Sequence, residues 1–113
     1  MEAQYYREMT ENLAEMEKAG ILEHKKILLF GHCHATEELA DLLLGKGCAV
    51  SAILDNNTVK QGGNYRGIPI KAPREILEED TQNMIVCIVA RAYAAMVSQL
   101  ERLGYKGMIS KLV

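Results

Sequence analysis

Residues 26–47 read KILLFGHCHATEELADLLLGKG, and the change of periodicity inside this stretch decides the fold. After Lys26 the run to Phe30 is continuously apolar, as a strand buried on both faces of a parallel sheet requires. Gly31 closes it. From Thr36 onward Leu39, Ala40, Leu43 and Leu44 fall on adjoining positions of one helical face, and Gly45 or Gly47 is available as a left-handed C-terminal cap. A buried strand, a glycine turn and an amphipathic helix in that order open a strand-helix-strand unit.

Working outward, CAVSAILD (residues 48–55) is a second buried strand. The segment NNTVKQGGNYRG after it has no helical period and reads as a long loop. IPI then serves as a third strand, which Pro69 places at a sheet edge. APREILEED begins a short helix with Pro73 in its first turn. NMIVCIVA is the fourth strand, and RAYAAMVSQLERLG is a helix with Tyr93, Val97, Leu100 and Leu103 in register and Gly104 as its stop. KGMIS is the fifth strand, leaving KLV exposed or paired elsewhere. Upstream, Glu2 to Ala19 favours helix, with Tyr6, Met9, Leu13 and Met16 on one narrow apolar stripe and Gly20 as its stop. That stripe reads as packing on the domain's flank, with a self-association seam as the alternative.

Strands alternating with helices imply right-handed crossovers and a parallel sheet. The expectation is an α/β, Rossmann-like three-layer domain of about five strands in the order 3-2-1-4-5, with an extra N-terminal helix. Residues 1–22 form that amphipathic helix and residues 23–113 the Rossmann-like nucleotide-binding domain. The chain ends within a few residues of the last strand, which suggests a domain of a longer protein or one completed by association.

Composition removes several function classes. A chain of 113 residues buries a single core without disulfides or metal. Net charge is −2 with interspersed signs, and with no tryptophan and one phenylalanine there is neither a basic stripe nor much stacking surface for nucleic acid. Cys33, Cys48 and Cys87 are scattered and odd in number, which suits a reducing compartment. No apolar run reaches membrane-spanning length, so a soluble cytoplasmic protein is expected.

In a sheet of this order the chain reverses direction between strands 1 and 4, and ligands bind in the crevice beyond their C-terminal ends. Its walls are the turn Gly31, His32, Cys33, His34, Ala35 and Thr36, whose amides form a backbone anion site, and the turn beginning at Arg91. Asp55 lies 24 residues after Gly31, where a dinucleotide fold places the acid that holds a ribose hydroxyl. Against a dinucleotide stand Cys33 and Thr36 at the places of the second and third fingerprint glycines. The cysteine obstructs close approach of a pyrophosphate, and the threonine demands a looser helix-strand contact. Glu37 and Glu38 add negative charge, which Arg91 partly offsets as a fork for phosphate or carboxylate. The HCH triplet invites a zinc reading, but adjacent residues do not readily aim three side chains at one tetrahedral centre, so no metal is expected. A nucleophilic Cys33 has no partner to complete an acyl-transfer constellation, and no catalytic residue is assigned.

As a whole, KILLFGHCHATEELADLLLGKGCAVSAILDNN, GGNYRGIPIKAPREIL and NMIVCIVARAYAAMVSQLERLGYKGMI resemble the NAD(P)-binding Rossmann-like modules of bacterial nucleotide-sugar and surface-polysaccharide biosynthesis proteins. Asp55-Asn56, Gly67-Ile68-Pro69-Ile70, Pro73 and Leu100 to Gly104 carry the resemblance. It implies a small-molecule nucleotide-type ligand, NAD(P) or a nucleotide-sugar, held by residues 31–36, Asp55, Asn56 and Arg91. It also implies a module attached to a catalytic domain, or a homo-oligomer. The alternative is a degenerate module that binds no small molecule and serves in assembly.

Overall fold

The computed structural model describes residues 4–78, 80–89 and 91–113. Glu2, Ala3, Glu79 and Ala90, which the sequence assigns to elements, lie outside the described residues. In chain order the elements are α1 (Gln4–Lys18), β1 (Lys26–Phe30), α2 (His34–Gly45), β2 (Val50–Leu54), β3 (Asn64–Tyr65), β4 (Ile68–Lys71), β5 (Met84–Ile88), α3 (Tyr93–Leu103) and β6 (Met108–Lys111). Two 3-10 helices, Pro73–Glu78 and Thr81–Asn83, link β4 to β5. The expected short helix after β4 is thus wound more tightly than an α-helix.

The strands form one sheet in the order β3-β4-β2-β1-β5-β6. Every pairing from β4 to β6 is parallel, and β3 pairs antiparallel with β4. Without β3 this is the expected order. The sixth strand comes from the segment expected to be a loop, because Arg66 (φ 50°) and Gly67 (φ 84°) both turn left-handed and close a two-residue hairpin. Pro69 therefore lies one strand in from the edge. It removes no bond to β3, since Ile70 donates to Gly63 O at 3.0 Å and accepts from Gly62 N–H at 2.9 Å.

Alternation along each strand sends side chains to two cores. Ile27, Leu29, Ile53, Ile85 and Cys87 face α1 and α2, while Leu28, Phe30, Leu54, Val86 and Ile88 face α3 and Ile76 of the first 3-10 helix. The layer on the α2 side explains α1. Because the β5-α3-β6 crossover puts α3 on the opposite face, the α2 face of β5 and β6 needs another cover. Met9, Leu13 and Met16 supply it at 0, 1 and 7% exposure. Burying each such side chain contributes about 1.5–3 kcal/mol. Asn12 Nδ2 ties the helix to the chain end by donating to Leu112 O at 2.7 Å. The apolar stripe of α1 is thus buried within its own domain. Of KLV, Lys111 ends β6 and is exposed, whereas Leu112 is fully buried and its N–H donates to Ile88 O at 3.0 Å. Among the described residues no helix is long and apolar enough to cross a membrane.

Candidate functional site at the switch point

The turn after β1 is held from both sides of the sheet. Gly31 adopts φ 90°, so the backbone calls for glycine, and a Cβ there would also push aside the flexible end of Met96 in α3, whose Cε would stand 2.9 Å away. Its N–H donates to Leu54 O at 2.7 Å, carrying the β1-β2 pairing one residue past the strand. Thr36 is 1% exposed and its hydroxyl donates to Gly31 O at 2.5 Å. The hydroxyl of Thr36 is thus satisfied by the turn itself.

Cys33 is the N-cap of α2, in extended conformation and with no side-chain capping bond. Glu37 N–H makes the first helical bond, to Cys33 O at 3.0 Å, so the earlier amides of the helix receive no cap from the cysteine. The Cys33 sulfur lies 3.4 Å from Thr36 Oγ1 and 4.0 Å from Val89 O, toward the end of β5. The histidines beside it diverge. His32 Nε2 lies 2.8 Å from Glu37 Oε2, and His34 Nε2 lies 3.1 Å from Glu38 Oε1. The hydroxyl of Tyr5 also donates to Glu38, which raises the tyrosine's pKa. Both carboxylates of the first helical turn are thereby engaged with histidines. Among the described residues no three metal-ligating side chains converge. The Nδ1 of His32 is buried without a hydrogen-bond partner among them.

Beyond β2, Asp55 Oδ2 accepts the His32 N–H and Oδ1 accepts the Asn57 N–H, each at 2.7 Å. Asn56 and Gln99 exchange two amide bonds of 2.9 and 2.7 Å, joining the end of β2 to α3. Lys60 Nζ donates to His32 O at 2.9 Å, and Gln61 Nε2 donates to Asp55 O at 2.8 Å. Sequence reasoning missed Lys60, Gln61 and Gln99, whose partners lie up to 43 positions away.

Beyond β5 lies a crevice of about 230 Å³, lined by Tyr5, Ala35, Val89, Arg91 and Val113, of which Ala35 and Arg91 are among the walls expected from the sequence. Arg91 is exposed and makes no ion pair with a described residue. Tyr5 and Val113 were also missed, because they come from α1 and the chain end. A larger hollow of about 340 Å³, beside Glu17, Lys25 and Cys48, lies at the opposite end of the strands and away from the glycine turn. The smaller crevice is the candidate, because parallel sheets bind ligands beyond the C-terminal ends of their strands.

No protein-family model and no curated protein sequence matches the chain. Solved structures share its fold. A crystal structure of RSP, a Rex-family repressor, superposes with a TM-score of 0.58 at 15% identity over 90% of this chain and 59% of that one. RSP in complex with β-NADH gives 0.58 and 15% over 90% and 60%. The chain therefore spans about three fifths of the length of these neighbours. The likeness shows a Rossmann-like fold.

Proposed function

We propose that the chain binds a nucleotide-type small molecule in the crevice between β1 and β5. The observation that carries this reading is the coincidence there of three features: the N-terminus of α2, which Cys33 does not cap through its side chain, a concave space, and the guanidinium of Arg91, which has no ion partner among the described residues. Helix amides favour an anion at that end, and a guanidinium can grip phosphate through two parallel hydrogen bonds. The NADH complex of the structural neighbour RSP supports the same ligand class. NAD(P) is the first candidate, and a nucleotide-sugar the second. The link to polysaccharide metabolism rests on the sequence resemblance alone.

The chemistry is binding. Cys33 turns its sulfur toward Thr36 and Val89, and both neighbouring histidines pair with glutamates, so no general base is positioned on the thiol. An assembly role through α1 would need a surface other than its buried stripe.

A thermal-shift screen of NADH, NADPH and nucleotide-sugars tests the reading, since a ligand at a hundred times its Kd stabilises the folded state by about 2.7 kcal/mol. Arg91→Ala should weaken binding of the hit by about 1.5–3 kcal/mol, the range for hydrogen bonds to charged groups. Its own stability should change by less than about 0.5 kcal/mol. Equal affinity of variant and parent removes Arg91 from the site.

A further inference from the structure

A dinucleotide lies across two mononucleotide-binding halves of such a sheet, one on each side of the switch point. In this chain the halves are unequal. On the β2 side, both Asp55 oxygens hold backbone amides, and the Asn56 side-chain amide is matched on both its ends by Gln99. Lys60 ties the loop after β2 to the glycine turn through His32 O, and Gln61 ties it back to Asp55 O at the end of β2. On the β5 side Arg91 has no ion partner among the described residues, and the crevice, about 230 Å³ in volume, is small for a ligand made of two nucleotides.

We infer that the site takes a single nucleoside monophosphate, seated in the β5 half with its phosphate on Arg91, and that the β2 half is filled by the chain's own side chains. This inference rests on the nucleotide-binding reading above and narrows it. The crevice suits one nucleotide: Ala35, Val89 and Val113 offer apolar surface to a ring, Tyr5 an aromatic wall, and Arg91 the charge. The second nucleotide of a dinucleotide would compete with the Lys60 and Asn56–Gln99 contacts.

The test is calorimetric titration of the parent chain with NADH and with the two halves of NAD, AMP and nicotinamide mononucleotide. One half should bind within about threefold of NADH or tighter, a difference under about 1 kcal/mol. The variant Lys60→Ala/Gln99→Ala, checked for folding by circular dichroism, should bind NADH about tenfold more tightly than the parent does while its affinity for the half is unchanged. If the parent prefers NADH to both halves by about tenfold or more, both nucleotide sites are open and the inference is overturned, whatever the variant does. If a folded variant gains nothing for NADH, the β2 contacts are not what restrict the ligand, and the inference again fails. If neither NADH nor either half binds the parent, this inference falls together with the NAD(P) reading, an outcome distinct from the first two, and only the nucleotide-sugar candidate is left to the thermal-shift screen.

Discussion

Beyond β2, the side chains that a nucleotide would use are bonded to the protein. Asp55 holds the amides of His32 and Asn57, and Asn56 faces Gln99 in a closed pair. Beyond β5, Arg91 stands without a described ion partner at the rim of a crevice whose other walls are largely apolar. The two halves begin from similar buried parallel strands, so their difference arises in the segment just past each strand. A loop of short polar side chains succeeds β2, and such side chains readily bond nearby backbone. After β5 the chain passes Val89 to an arginine and a helix with no side-chain cap. The difference is that Asp55 and Asn56 past β2 are paired within the protein, whereas Arg91 past β5 has no ion partner among the described residues.

The contrast can be broken from the protein's interior outward. The largest effect is expected at alkaline pH, on the β5 half. Burial pushes the Cys87 thiol from 9.0 up to about 12 and is also the main cause that raises Tyr105 from 10.0 to about 12. The folded chain then keeps protons that the unfolded chain releases. The stability these groups contribute is full below about pH 9 and is lost as pH rises toward 12. Denaturant midpoints measured along that range should fall steeply for the parent and less steeply for Cys87→Ala. Equal slopes would show that the thiol does not titrate with unfolding.

At the junction of the halves, Gly31→Ala should destabilise by about 2 kcal/mol, because a left-handed backbone costs a non-glycine residue about 1–2 kcal/mol and Met96 must also move. Adding Met96→Ala should relieve only the steric part, which a double-mutant cycle on unfolding free energies measures. A smaller effect is expected on the β2 half. Asp55→Ala leaves two amides without their acceptor, and because the site is partly open to water the loss should be about 1–2 kcal/mol. The same variant should leave binding in the β5 crevice largely intact. If it abolishes binding instead, the carboxylate reaches the ligand and the contrast between the halves is wrong.

The strand order from which the candidate site is placed was legible because it derives from periodicity. KILLF, CAVSAIL and MIVCI read as buried strands, and the helices between them set the crossovers. The contents of the site were less legible. Asp55 was placed correctly at the end of β2, but the sequence does not record that the His32 amide would occupy it. Thr36 stands at the place of a fingerprint glycine, and that substitution does not record that its hydroxyl bonds Gly31 O.

What the sequence by itself determined was the set of elements and their order, since local patterns of apolar residues, glycines and prolines act over a few residues and leave a readable period. Only the tertiary structure decided that α1 covers β5 and β6 and that Tyr5 and Val113 wall the crevice. It alone decided that Lys60 and Gln99 close the β2 side. Those contacts join residues 28 and 43 positions apart. Their partners become neighbours only when the sheet has brought the strand ends together, so no local pattern encodes them.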